Sequence, residues 1–444
     1  MRIVLRHYTN RWVKYTPSCL CASFTTSSYI WAKKGKLKSA SSSSSKALKK
    51  STTLGRVGTS LKVGVVGVPN VGKSTLFNVL TDSQVAAENF PFCTIDPNES
   101  RVAVPDHRFD FLCDFYKPSS AVPAYLKVVD IAGLIEGASE GKGLGNAFLS
   151  HVSACDAIFH VVRAFEDIDV VHHKGAFNPT NDMETILNEL LLKDIEYFSA
   201  RFIETEKKFG RSRDSSVKEE LKTIEKILNI LEVDEKQLRF IKDWSEPEID
   251  VLNRHLPLTA KPIIYLANMA HEDYVRHVTT SSSPAESKHV KSIQQWIDEH
   301  DSGSTVLPFS ATFEEALKSG ELKPDEESVV GSVLPQIIKA GLDILQLRYY
   351  FTAGDEEVKS WCIQTGTKAP AAAGRIHSDF EKYFVMAEVI KFDDFVSLGG
   401  EKGVRAGGKY LNKGKDYIVE DGDIMHFRFN IPKGGTKNEM KRKK

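Results

Sequence analysis

Residues 67–75 read Gly67-Val-Pro-Asn-Val-Gly72-Lys73-Ser74-Thr75. A short β-rich run, Leu61-Lys-Val-Gly-Val-Val66, precedes them, and an apolar helical pattern (Leu76, Phe77, Val79, Leu80) follows. G-x-x-x-x-G-K-[ST] between a strand and a helix is the setting in which this spacing marks a P-loop. The glycines let the backbone curl so that successive N–H groups face phosphates. The helix adds the positive end of its dipole at the same place. Asn70, Val71, Gly72, Lys73, Ser74 and Thr75 are therefore the expected phosphate cradle, with Lys73 on the β- and γ-phosphates and Ser74 on Mg²⁺. The fold expected is α/β, a P-loop NTPase of G-domain type, with a mostly parallel sheet and flanking helices.

Two further stretches extend the site. Phe90-Pro-Phe-Cys-Thr94-Ile-Asp-Pro97 is a Pro-flanked loop about twenty residues on, where a switch threonine would hold Mg²⁺ and sense the γ-phosphate. An apolar run, Leu126 to Val129, ends in Asp130-Ile-Ala-Gly133. Asp130 is expected to hold Mg²⁺ through water and Gly133 to offer its N–H to the γ-phosphate. Metal ligands are thus expected at Ser74, Thr94 and Asp130. Where many small GTPases place a water-positioning glutamine, this chain has Leu134, which cannot orient or polarise water. Hydrolysis then needs another group, a bound monovalent cation or a partner; His172 and His151 have the chemistry.

The base is read further along. Pro262-Ile-Ile-Tyr-Leu-Ala267 is a strand pattern leading into Asn268-Met269-Ala-His271. A guanine-specific loop would place a carboxylate at the fourth position, accepting from groups that adenine lacks. Here that position is His271, which disfavours guanine unless Glu272 or Asp273 takes over. Asn268 keeps a loop-anchoring amide, and backbone groups around Met269 are expected to read adenine. Ser310, after Val306-Leu-Pro-Phe309, is expected in the last base-contacting loop.

The chain has 444 residues, enough for two to four domains. Its 59 basic and 59 acidic residues cancel, but residues 1–60 hold 12 basic residues and no acid, leaving net −12 for the remainder. A chain-wide nucleic-acid surface is not implied. Residues 1–55 form a basic, Ser-rich leader, read either as an organellar transit peptide or as a solvated tail. No apolar run reaches the 18 residues a membrane span needs. Six scattered cysteines fit neither a zinc site nor a disulfide framework. Cytoplasmic residence is expected, with a mitochondrion or plastid as the alternative if the leader is cleaved.

The run Phe90 to Ser100, together with Gly143-Leu-Gly-Asn-Ala-Phe-Leu-Ser150, closely resembles the Obg-like ATPase family, also called YchF. The resemblance extends from about Arg56 to Pro432 and takes in Phe351-Thr-Ala-Gly354 and Tyr417-Ile-Val-Glu-Asp-Gly422. It implies an ATPase with weaker GTP use, a helical hairpin insert and a C-terminal ubiquitin-like TGS domain. It also implies a ribosome-associated switch, expected to act as a monomer. Leu134 matches the family's hydrophobic residue at the glutamine position, and His172 matches a family histidine. His271 departs from the family's usual Asn-x-x-Glu loop.

The domains expected are residues 56–348 for the NTPase, with a helical insert over about 181–245, residues 349–432 for the TGS module and a basic tail over 433–444. In the insert, Met183, Ile186, Leu187, Leu190, Leu191, Ile195, Phe198 and Phe202 step by three and four. After a break at Gly210–Ser216, Val217, Leu221, Ile224, Leu228 and Leu231 repeat the period. The two stripes are expected to form the hairpin's own seam. In the C-terminal module strands are expected at Tyr383–Lys391, Asp416–Val419 and Ile424–Phe429. Lys402, Arg405, Lys409, Lys413 and Lys415 lie close in sequence, either as a phosphate-binding group for RNA or as a solvated face.

Overall fold

A computed structural model describes residues 55–430 except 57, 83–98, 134–143, 167–176, 213, 280–287 and 323–330. In chain order the first half gives β1 (Lys62–Val66), α1 (Lys73–Asp82), β2 (Glu99–Ala103), α2 (His107–Tyr116), β3 (Ser120–Val122) and β4 (Tyr125–Asp130). It continues with α3 (Leu144–Ala154), β5 (Ala157–Arg163), α4 (Pro179–Ser212), α5 (Ser215–Glu232), α6 (Glu246–His255) and β6 (Ile263–Asn268). Then come α7 (His271–Thr279), α8 (Lys288–His300), β7 (Thr305–Phe309), α9 (Ala311–Ser319) and α10 (Leu334–Ile344). The C-terminal part adds β8 (Leu347–Ala353), β9 (Glu357–Gln364), α11 (Ala369–Gly374), α12 (Ser378–Lys382) and β10 (Phe384–Ile390). It closes with α13 (Phe392–Ser397), α14 (Glu401–Ala406), β11 (Leu411–Lys413) and β12 (Ile424–Phe429). All of them fall in one unit, Thr52–Lys444.

The first sheet runs β2-β4-β1-β5-β6-β7. Its strands are parallel except β2, which is antiparallel to β4. Every residue of β5 and β6 is buried, as continuous apolar runs covered by helices on both faces should be. Register lines up the carboxyl ends of the strands: Val65 lies opposite Asp130, Arg163 opposite Asn268, and Asn268 opposite Phe309. That edge is where ligands bind in open α/β sheets.

The insert is a helical hairpin, but its apolar stripe has two destinations. Met183, Ile186, Leu187 and Leu190 join the core of the NTPase part. Only the later positions, Leu191 and Phe198, meet Ile224, Ile227, Ile230 and Leu231 of α5. The expected single seam is therefore corrected: the first turns of α4 lie on the sheet and only the remainder pairs with α5. The helix also runs through Gly210, and the break falls at Asp214, whose carboxylate caps α5 by accepting from the Ser216 N–H at 3.0 Å.

The second sheet runs β11-β10-β12-β8-β9-β3. A β8–β9 antiparallel hairpin is followed by helices and by β12, which returns parallel to β8 in the interior of the sheet. One face packs Tyr350, Ile363, Val389, Met425 and Phe427 against Ala369, Ala372 and Ala373 of α11. The other carries Tyr349, Phe351, Val358 and Ile424 into the core of the NTPase part. Two features differ from expectation. The sheet starts at Leu347, and it takes in β3 from the NTPase segment, paired parallel with β9. Residues 416–419 form no strand; Ile418 makes one isolated bridge to Lys368. At the junction Asp106 caps α2, pairs with Arg108 at 2.7 Å and accepts from the Tyr349 hydroxyl at 2.5 Å. Arg108 continues to Asp421 at 2.9 Å.

Candidate nucleotide site

β1 ends at Val66, and the chain turns through a loop in which Asn70 (φ 61°) and Gly72 (φ 95°) adopt left-handed backbone. Gly72 is required twice over, because a Cβ there would also run into the Asn268 amide. Val71 is buried and fixes the loop to the core, while Ser74 and Asn70 are exposed. Thr75, half-buried, sits in the first turn of α1.

Lys73 is 7% exposed, and its Nζ donates to the Val68 carbonyl at 2.7 Å. Burial pushes its pKa down to about 8, partly opposed by the Asp130 carboxylate. Gly133 lies against it: a Cβ on Gly133 would sit 3.0 Å from the Lys73 Nζ and 3.2 Å from the Pro69 backbone. Two of the expected catalytic residues are thus in contact. Ser74 Oγ donates to Asp130 Oδ2 at 3.2 Å. The other oxygen, Asp130 Oδ1, is buried with no hydrogen-bond partner. Burial raises the carboxyl pKa, against the lowering effect of Ser74 and Lys73. A buried carboxylate oxygen left unpaired beside a hydroxyl, at the mouth of a phosphate loop, fits a hard divalent cation. Ser74 and Asp130 would hold it; Thr94, the third expected ligand, and His172 lie outside the described residues, as does Leu134.

Asn268 is the joint of the base side. Its Nδ2 donates to the Val71 carbonyl at 2.9 Å, and its Oδ1 accepts from the Ala311 N–H at 3.0 Å. One buried amide therefore ties the phosphate loop to α9. The Met269 N–H is already spent on the Phe309 carbonyl at 2.8 Å, so its backbone can meet a base only through its carbonyl. Ser310 is fully buried, and its hydroxyl caps α9 by accepting from the Phe313 N–H at 3.4 Å. Its side chain therefore serves as the cap of α9. His271 opens α7 with its ring edge-on to Phe313 at 5.3 Å. Asp273 is paired with Arg276 at 3.1 Å, and Glu272 is exposed.

Of the two histidines weighed for water activation, His151 is exposed near the end of α3. That end feeds the amino end of β5, opposite the phosphate loop, so His151 is excluded from the site. Sequence reasoning gave Arg163 no role at this edge. It is buried at the last position of β5, with its guanidinium over Phe165 at 4.6 Å and Phe177 at 5.3 Å. An arginine ending an apolar strand was the available signal.

Comparison with known proteins agrees with this geometry. Residues 62–197 match the family described as 50S ribosome-binding GTPase. Residues 347–430 match the YchF-GTPase C-terminal family, described as a protein of unknown function. Obg-like ATPase 1 of Gallus gallus is 55% identical over 383 residues, covering 85% of this chain and 95% of that protein. The Homo sapiens protein of the same name is 54% identical over 385 residues, with 85% and 95% covered. The solved structure of the Schizosaccharomyces pombe YchF GTPase is 46% identical with a TM-score of 0.74, covering 85% of this chain and all of that one.

Proposed function

The chain belongs to the Obg-like ATPase (YchF) family, and on that premise we propose that it is a Mg²⁺-dependent switch that hydrolyses ATP in preference to GTP, with slow turnover of its own. The observation that carries this is that buried Lys73 and Asp130 share one electrostatic neighbourhood at the phosphate loop while the Asp130 Oδ1 oxygen has no hydrogen-bond partner. Lys73 would leave the Val68 carbonyl for the phosphates, where its charge stabilises what develops in the transition state. Gly133 is close enough to place its N–H at the same group. Magnesium, when bound, supplies charge neutralisation between the β- and γ-phosphates. Slow turnover rests on Leu134, which leaves water unpolarised until a cation or a partner contributes.

Adenine preference is supported by His271 in the carboxylate position and by the pairing of Asp273 with Arg276. Adenine's amino group would donate to the Met269 carbonyl. A second reading, a GTPase, has Glu272 on its side, exposed on the first turn of α7. Competition between unlabelled ATP and GTP for a fluorescent ATP analogue on the full chain separates the two, with Lys73→Ala as control. ATP should compete at least about ten-fold better, a difference of about 1.4 kcal/mol; better competition by GTP hands the assignment to the GTPase.

The ribosome is the proposed partner, with RNA contacted by the TGS-like C-terminal module and the protein acting as a monomer. Turnover measured with and without ribosomes is the check, and no stimulation would leave a nucleotide-gated binder instead. Cytoplasmic residence is part of the proposal. Imaging C-terminal fluorescent fusions with and without residues 1–54 distinguishes it from import into an organelle.

A further inference from the structure

Leu61, Asp156 and Pro262 each stand one residue before a strand of the first sheet, β1, β5 and β6. All three line a half-open cavity of about 260 Å³ at the amino ends of those strands, the edge opposite the phosphate loop. Leu252 of α6 closes one side, and Leu345 before β8, with Gln364 ending β9, closes another. The cavity therefore exists only where the first sheet, α6 and the second sheet meet, a common place for a small-molecule site. The nucleotide site makes no use of it.

Its polar side is cationic. Lys261 is 6% exposed, and its Nζ donates to the carbonyls of Ser153, at 3.3 Å, and of Cys155. An ammonium has three N–H groups, so a third remains for a ligand. Burial lowers the Lys261 pKa, with Asp156 working against it. The Arg239 side chain is 8% exposed; Nη2 pairs with Asp301 at 2.8 Å and Nη1 donates to Gln237 at 3.3 Å. Its Nε is buried with no hydrogen-bond partner among the described residues. Arg56 adds a third cation, more exposed than the others. Asp156 is the one carboxylate in the wall, and it already accepts from the Lys62 N–H at 2.9 Å and faces Arg56 at 3.6 Å. Even with Asp301 counted against Arg239, one positive charge is left over.

Size and charge together narrow the ligand. An apolar cavity of about 150 Å³ is enough to hold benzene, so this one has room for a ring and a charged group attached to it. Leu61, Leu252, Pro262 and Leu345 offer the apolar surface for such a body. One surplus positive charge matches a carboxylate, whereas a phosphate monoester carries about −1.5 to −2 at neutral pH.

We propose that this cavity is a second ligand site for a small organic carboxylate with an apolar body about the size of one ring, its carboxylate held by Lys261, Arg239 and Arg56. The test is a saturation-transfer NMR titration of benzoate with the full chain, with Mg²⁺ and ADP kept saturating so that the phosphate loop is filled. Benzoate should bind saturably, and benzamide and benzylamine, of similar shape without the negative charge, should bind about ten-fold more weakly or not at all. Ala260→Leu narrows the cavity and keeps every charge, and it should remove binding. Lys261→Met should do the same, and Arg56→Ala, a surface change, should weaken binding several-fold, with ADP affinity and far-UV circular dichroism unchanged in all three. If either internal change unfolds the chain, Arg56→Ala decides. Lys402→Ala, an exposed cation away from the cavity, should change nothing. Benzamide binding as tightly as benzoate would overturn the anion site, and tighter binding of phenyl phosphate would overturn the carboxylate. Benzoate binding that survives Ala260→Leu and Arg56→Ala, or no binding at all, would overturn the cavity as a ligand site. ATP competition at the phosphate loop is unaffected by any of these outcomes.

Discussion

Lys73 and Gly133 make the sharpest residue-scale case. A methyl on Gly133 would meet the Lys73 amine at 3.0 Å and the Pro69 backbone at 3.2 Å, so one of the three must move. Gly133→Ala should lower kcat at least ten-fold while ATP binding persists, as steady-state turnover beside equilibrium binding will show; equal losses in both would mean that the loop itself collapses. The pH response follows from Lys73. Its ammonium is charged below a pKa of about 8, and phosphate oxygens need that charge. ATP affinity should therefore decline as pH rises through about 8. Lys73→Arg, charged throughout, should bind more weakly but lack that alkaline limb. The Gly-Lys-Ser spacing and the terminal Asp130 were legible in sequence because the chemistry demands those residues at short range. The resting partner of Lys73, the Val68 carbonyl, was not, because any carbonyl of the loop reads the same. Nor was the burial of the Ser310 hydroxyl, since capping and ligand contact call for the same residue type.

Among the elements, the loop-to-α9 tie and the hairpin are the informative ones. Asn268→Ala would leave the Val71 carbonyl and the Ala311 N–H buried without partners, at a cost of about 1–3 kcal/mol for each group. Urea unfolding should report this, and ATP affinity should fall with it. In the hairpin, Asp194 accepts from the Leu258 N–H at 3.0 Å and the Thr259 N–H at 2.8 Å, and from the Thr259 hydroxyl at 2.6 Å. Burial nevertheless raises its pKa to about 6. Asp194→Ala should cost about 2–4 kcal/mol, since it strips three buried donors at once; a loss under about 1 kcal/mol in urea unfolding would mean that water replaces the carboxylate. Helical period showed both helices of the hairpin. It did not show which turns face which neighbour, because a stripe of Met, Ile and Leu packs equally well on a sheet or on a helix.

For the whole molecule, the question is how two sheets become one body. Asp106, Arg108, Tyr349 and Asp421 form a continuous polar contact across the junction, and Arg108 is shared by both sides. Arg108→Ala removes the shared cation while leaving Asp106 half-buried, so the C-terminal module should exchange amide hydrogens faster near Asp421. Unchanged exchange there would show that apolar packing alone holds the junction. The alternation in β10 and β12 made part of the second sheet readable, while β8 and β9 were not drawn from the sequence. β3 was unreadable: Ser120-Ala-Val122 is too short and too polar to carry a period, and only its parallel partner β9 makes it a strand.

That borrowed strand has a consequence in time. β3 is made early and β9 about 240 residues later, an interval of about 12–47 seconds at elongation rates of about 5–20 residues per second. Throughout it, the aromatic face of α2, with Phe109, Phe111 and Phe115, has no Phe351, Phe392 or Phe395 to meet. Until the C-terminal module is made, the nascent chain carries that edge and the aromatic face of α2 uncovered.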